Sequence, residues 1–211
     1  MSIFFKPEER DKTIFPHDVF KSLVVPRPIG WISSINNKGE TNLAPYSFFS
    51  GCYSYPNIVS FCPEGNKDSK NFVLETQEFV FNLVSKNLID QMNISSEGLP
   101  QGSSEFETTK LTPIDSVVIK APRVKEAFAS LECKVTQSLN LKDMTGKELD
   151  GCVIFGQVVG VHLNSDIINK DGKVDLKKIN VVARLGYNEY TCVDNIFTLE
   201  RPKNSGNPFG R

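Results

Sequence analysis

The sequence predicts a mainly β domain, and three observations carry that expectation. Short runs rich in Val, Ile, Phe and Tyr recur along the chain, each bounded by Gly, Pro, Asn or Asp. Two of these runs flank Asn36-Asn37-Lys38-Gly39, where Asn and Gly reach positive φ at little cost, so the pair reads as an antiparallel hairpin. Helical periodicity is confined to a few short stretches.

In order, the expected strands are Ile29 to Ile35 and Thr41 to Phe48, which form the hairpin, then Ile58 to Cys62, Glu78 to Leu83 and Ser116 to Lys120. Ala129 to Leu139, Gly151 to Leu163 and Glu189 to Thr198 complete the set. Ser69 to Thr76 begins with a Ser that can cap and presents Phe72 and Val73 to one side, which predicts a helix. Leu88, Ile89, Met92 and Ile94 recur at helical spacing and predict a second. Gly98 to Pro113 is polar, with a capping-box pattern at Ser104-Glu105-Phe106-Glu107, and a loop of that length reads as a lid or a dimer arm. Asn164 to Ile179 reads as a turn followed by a short helix.

The 211 residues suffice for one sizeable core, so residues 1–211 are expected to form a single domain. The 24 Lys and Arg nearly balance the 25 Asp and Glu without blocks of like charge, which excludes the electrostatic footprint of a nucleic-acid binder. Five scattered cysteines without C-x-x-C pairs read as free thiols in a reducing cytoplasm. The N-terminus lacks the apolar core of a signal peptide, and no run approaches the roughly 18 apolar residues of a membrane helix. The sequon-like Asn93-Ile94-Ser95 therefore carries little weight.

The motifs of dinucleotide-binding, P-loop, zincin and α/β-hydrolase enzymes are absent. With only His17 and His162, a His-rich metal site is excluded, and no metal is expected. What stands out instead is the small polar and aromatic content of the hairpin. A planar, partly polar ligand needs backbone amides and hydroxyls along its edge, apolar surface on a face and cations for a phosphate. Pro28, Ser33, Ser34, Pro45, Ser47, Phe48 and Phe49 can supply edge and face; read as plain packing, Trp31, Phe48 and Phe49 are core and the serines a solvated strand face. The turn 66-NKDSKN-71 runs into a helix start with Lys67, Lys70 and Ser69, which suits a phosphate cradle or an ordinary solvated turn. In 183-ARLGY-187, Arg184 offers a bidentate fork beside Gly186, or a structural ion pair. His162 ends an apolar run and could meet a cofactor or serve a structural hydrogen bond, whereas Glu132, inside 131-LECKV-135, reads as facing solvent or pairing with Lys134 or an arginine.

Taken in order, RPIGWIS, NLAPYSFF, KDS-x-N, Glu105-Phe106 followed by LTP, LEC, the Gly156 to His162 run, ARLG and LERP resemble the flavin reductase-like family. The match runs from about Pro26 to Pro202. The resemblance implies an FMN-binding split β-barrel, antiparallel and decorated with short peripheral helices, that works as a homodimer with flavin near the subunit interface. It implies FMN, with FAD possible, reduced by hydride from NAD(P)H, the electrons passing onward to an acceptor that can be a monooxygenase or an electron-transfer protein. By position in the motifs, Ser33, Ser34, Asn42, Ala44, Pro45, Ser47, Phe48 and Phe49 are expected to line the flavin. Lys67, Ser69 and Arg184 are expected around its phosphate or ribityl chain, with Asp68, Asn71, Gly186 and Tyr187 among the other cofactor-binding residues. His162 is the candidate for contacting the nicotinamide or stabilising reduced flavin. The family often has a second glycine where this chain has Tyr187, which narrows the space over the flavin. Two rivals follow: an electron carrier of the flavoredoxin kind, fed by a protein partner, and a non-redox module for another planar ligand such as haem, disfavoured by the scarcity of His. The N-terminal arm and the tail from Lys203 to Arg211 lie outside the match.

Overall fold

The computed structural model describes residues 2–100, 103–200 and 202. The tail 203–211 lies outside them. Among the described residues twelve strands run in chain order: β1 (Arg27–Pro28), β2 (Gly30–Ile35), β3 (Thr41–Tyr46), β4 (Phe49–Ser54), β5 (Asn57–Phe61), β6 (Glu78–Asn82), β7 (Pro113–Ile114), β8 (Arg123–Val124), β9 (Ala129–Lys142), β10 (Glu148–Leu163), β11 (Val182–Arg184) and β12 (Tyr190–Cys192). The helices are α1 (Phe20–Leu23), α2 (Asp68–Thr76), α3 (Ile89–Ile94), α4 (Glu105–Thr109) and α5 (Leu176–Ile179).

Seven strands make one antiparallel sheet in the order β3-β2-β6-β9-β10-β5-β4. Its two edges, β3 and β4, are consecutive in the chain, so the sheet must curl for Ser47 and Phe48 to join them. The β2–β3 hairpin turns where expected: Gly39 takes φ +86°, and the Asn36 side chain accepts the amides of Lys38 and Glu40. Trp31 and Ile32 then point to opposite faces, as successive strand residues must. Ile32 packs with Phe61, Phe79 and Ile154 inside the curl, while Trp31 and Leu43 pack with Met92 and Phe106 beneath α3 and α4. Because β2 is buried on both faces, its run is almost unbroken in small and apolar residues. Gly156 on β10 lets Phe79 in: a Cβ there would lie 2.5 Å from the ring.

Two expected strands differ. Only Tyr190–Cys192 of Glu189 to Thr198 is a strand, paired with β11 in a separate three-stranded sheet with β1. Ser116 to Lys120 is not a strand, although its Val-Val-Ile run has strand composition, because carboxylates take its amides. Glu132 Oε1 accepts Val117 N at 2.7 Å, Glu132 Oε2 accepts Val118 N at 2.7 Å and Ile119 N at 3.1 Å, and Glu78 Oε1 accepts the amides of Lys120 and Ala121. Glu132 is therefore fully buried rather than facing solvent or pairing with Lys134. Burial alone would raise its carboxyl, but those amides and the His162 ring together outweigh burial and hold it below its ordinary value. The capping box at Ser104 does not close either; the Ser104 hydroxyl bonds that of Thr41 on β3 at 2.9 Å.

Candidate functional site

The outer end of β3 and the bend after it are bordered by the start of α2, the loop following α3, and the β1–β11 pair. Three depressions open there, of about 580, 150 and 210 Å³, and all three share Pro45. They form one trough of mixed polar and apolar lining. At one end stand Asn42, Lys67, Asp68 and Ser69 with Glu105; at the other stand Arg27, Arg184 and Tyr187 with Lys21 from the N-terminal arm.

The first end is ordered by a chain of side-chain bonds. Ser69 Oγ donates to Asn42 Oδ1 at 2.5 Å, and Asn42 Nδ2 donates to Glu105 Oε1 at 2.8 Å. Glu105 Oε2 accepts the Leu43 amide at 2.9 Å, which ties α4 to β3. Burial pushes the Glu105 carboxyl up, against the pull of the Leu43 amide, and the charge of Asp68 adds to the rise. Burial likewise pushes the Tyr46 phenol up to about 12, so it stays protonated. Ser69 does not cap α2; with Lys67 at the cap position and no side-chain bond there, the first-turn amides are left available for an anion.

At the other end Arg27 is only 6% exposed, and among the described residues its charge meets no carboxylate. Its Nη1 donates to the carbonyls of Lys21 and Val24, at 2.5 and 2.6 Å, and its Nη2 to that of Leu185 at 2.8 Å, while Nε has no partner among the described residues. Burial, and behind it the charge of Arg184, pull its guanidinium below the ordinary value. Arg184 lies directly opposite Arg27 in the strand register, stacks over Tyr190 at 4.4 Å, and donates to the Tyr190 hydroxyl and the Tyr187 carbonyl. Phe48 sits beneath Lys21 and Arg27, 5.6 and 5.8 Å from its ring centre.

Of the residues expected from the sequence, Asn42, Ala44, Pro45, Ser47, Phe48, Lys67, Asp68, Ser69, Arg184 and Tyr187 line the trough. Others are placed elsewhere. Ser33 and Ser34 are fully buried within β2, with Ser33 Oγ donating to the Pro122 carbonyl. Phe49 stacks on Phe81 at 4.6 Å in the core. Asn71 bonds Asn66 and lines an adjoining polar depression beside Glu75, which shares Asn42 and Asp68 with the trough. Gly186 packs against α1, where a Cβ would come within 2.9 Å of Ser22 Cα. His162 is brought to Glu132 rather than to the trough, its Nε2 lying 2.5 Å from Oε1. The expected set omitted Glu105, Lys21 and Arg27. A cation locked between Pro26 and Pro28 is the visible signal for Arg27; Glu105 is marked only by the Ser104-Glu105-Phe106-Glu107 pattern and the Glu105-Phe106 motif, neither of which points to its partners about 60 residues away in sequence.

Among the described residues no group of His, Cys, Asp and Glu is placed to hold a metal ion, and no helix is long and apolar enough to cross a membrane.

The sequence profile of the flavin reductase like domain matches residues 22–177. An uncharacterized protein of Aquifex aeolicus (strain VF5) is 38% identical over 173 residues, covering 80% of this chain and 85% of that protein. Nitrilotriacetate monooxygenase component B from Bacillus cereus superposes with a TM-score of 0.86 at 27% identity, over 94% of this chain and 99% of that one. Flavoredoxin of Desulfovibrio vulgaris (Miyazaki F) superposes with a TM-score of 0.74 at 17% identity, over 87% and 94% of the two chains, a likeness of fold alone. With its antiparallel split barrel and a profile match over most of its length, this chain belongs to the flavin reductase-like family.

Proposed function

We propose that the chain binds FMN in the trough and works as an NAD(P)H-dependent flavin reductase. The observation that carries this reading is the convergence of three depressions on Pro45, which gives one surface an apolar stretch, hydrogen-bonding groups and cations at both ends. The site residues fit a flavin. Lys67 offers charge and the open first turn of α2 offers amide donors to its phosphate, while the Ser69 hydroxyl gives its one proton to Asn42 and holds that side chain in place. Asn42 is oriented by Ser69 and Glu105 to offer a fixed polar edge; Ala44 and Pro45 give a flat apolar surface, and Ser47 a hydroxyl. When bound, the flavin supplies the redox chemistry, accepting hydride and releasing electrons to an acceptor. The chain then needs no nucleophile or general base of its own; its residues bind, orient and exclude water. Tyr46, protonated throughout the neutral range, serves as a donor and not as a base.

Two finer features belong to the same proposal. The protein acts as a cytoplasmic homodimer, supported by five free thiols and by exposed Leu139, Met144 and Leu149 at the β9–β10 tip. Its acceptor is a monooxygenase or electron-transfer partner, as the name of the Bacillus cereus relative suggests. One observation favours the carrier reading: Tyr187, held at φ +50° with its ring edge-on to His17 at 5.3 Å, narrows the larger depression against a dinucleotide.

Ser69→Ala and Lys67→Ala test the flavin site. Each is expected to weaken FMN binding about tenfold, read by flavin fluorescence quenching, while far-UV circular dichroism stays unchanged. Wild-type affinity in both variants would remove the proposed phosphate end. Failure of NADH and NADPH alike to bleach the bound flavin would favour the carrier.

A further inference from the structure

We propose that Arg27 and Arg184 form a second oxyanion subsite, separate from the Lys67–Ser69 end of the trough, that takes a phosphoryl or carboxylate group of the ligand exchanging electrons with the flavin. The ligand's redox role rests on the proposed function; the oxyanion site itself does not.

Arg27 on β1 and Arg184 on β11 are paired residue to residue across an antiparallel ladder. Like charges in that relation repel and destabilise the pair. Neither arginine has a carboxylate partner among the described residues. Arg27 is also buried, where an uncompensated charge is most expensive, and carbonyl oxygens of Lys21, Val24 and Leu185 satisfy its terminal nitrogens without neutralising it. One donor, Nε, is left over. A bound anion between the two guanidinium groups would relieve the repulsion.

The surroundings suit such a ligand. Both arginines line the depression of about 580 Å³, and Lys21 enters it from the N-terminal arm as a third cation, against the single carboxylate of Asp18. Tyr187, Tyr190 and Met92 add apolar and aromatic surface. Arg184 is fixed in place by stacking on Tyr190 and by its bonds to Tyr190 and the Tyr187 carbonyl, so its charge is presented with little loss of side-chain freedom. Three cations around one cavity, with aromatic walls, fit a planar or nucleotide-like molecule carrying an anionic group. Two sources share this chemistry: the diphosphate of a dinucleotide donor and the carboxylate of an aromatic acceptor.

The test is calorimetric titration of the full chain at low salt, with and without saturating FMN, using inorganic pyrophosphate as one probe and benzoate as the other. FMN uptake is scored separately by its visible absorbance, so failure of the flavin reading is seen without the anion result. Pyrophosphate binding that persists with FMN present, weakens as salt rises and falls about tenfold or more in Arg184→Gln assigns the subsite to the donor. The same pattern with benzoate assigns it to the acceptor. Arg184→Lys keeps the charge and is expected to lose less than Arg184→Gln. Lys21→Ala, on the exposed arm, carries the test if the Arg184 variants do not fold, and is expected to weaken binding a few-fold. Binding of neither probe, binding unchanged in the variants, or binding abolished by FMN would overturn the proposal; in the last case the cations serve the flavin's own phosphate.

Discussion

Replacing Glu132 by alanine strikes the bond network that holds residues 117–119 against the barrel. The carboxylate accepts three backbone amides, at 2.7, 2.7 and 3.1 Å, and meets His162 Nε2 at 2.5 Å. A hydrogen bond to a charged group contributes about 1.5–3 kcal/mol when buried. Only the Ile119 bond is buried; the Val117 and Val118 amides are half-buried and can recover part of their loss from water. Counting the first near about 2–3 kcal/mol and the other two at about 0.5–1 kcal/mol each gives a loss of about 3–5 kcal/mol, the range found when one partner of a buried polar pair is removed. At about 2–4 °C per kcal/mol, the melting temperature should fall by roughly 6–20 °C. Glu132→Gln keeps one acceptor but turns an NH2 toward backbone donors, so about 2–3 kcal/mol is expected. Urea unfolding followed by circular dichroism measures both. Stability of Glu132→Ala within about 1 kcal/mol of wild type would refute the assignment of these bonds as a major support. The pH dependence has a definite sign. The native carboxyl lies below its ordinary value of 4.5, so between the two values the unfolded chain binds more protons and stability rises with pH. The Glu132 contribution is therefore full above 4.5 and is lost as pH falls through the native value.

Glu105 should behave in the opposite sense. Burial holds its carboxyl above 4.5, so its contribution is full below that value and declines as pH rises through the native one; the stability of Glu105→Gln relative to wild type should therefore improve on going from acid to neutral pH, read as paired urea midpoints. A double-mutant cycle of Glu132→Gln with His162→Ala should show coupling of about 1 kcal/mol or more, whereas additive losses would dissolve the pair. Gly156→Ala should cost about 1–3 kcal/mol with an unchanged denaturant slope, because its Cβ would meet the Phe79 ring.

How much of this could be read in the chain depended on the range of the interactions. The β2–β3 hairpin was legible because Asn36 and Gly39 make its turn within five residues. The long β9 and β10 strands were legible from their apolar runs, though both extend beyond the expected bounds. Ser116 to Lys120 misled because β-branched composition measures fitness for a strand, while the competing acceptors, Glu78 and Glu132, lie at least 13 residues away. Ser33 and Ser34 were expected at the ligand edge because hydroxyls in a strand suggest a polar face; burial of β2 on both sides places them inside. At the trough, the residues of β3 and the α2 start were legible as motifs. The Arg27–Arg184 pairing was not, because it joins residues 157 positions apart through the β1–β11 ladder.

The most direct test is to add FMN to the purified chain, follow the visible spectrum anaerobically, and then add NADH and NADPH in turn. Uptake of FMN with a perturbed flavin band, followed by bleaching with at least one nucleotide, is expected of a flavin reductase built on this trough. A chain that leaves the FMN spectrum and fluorescence unchanged at saturating flavin would contradict the assignment of the trough as a flavin site.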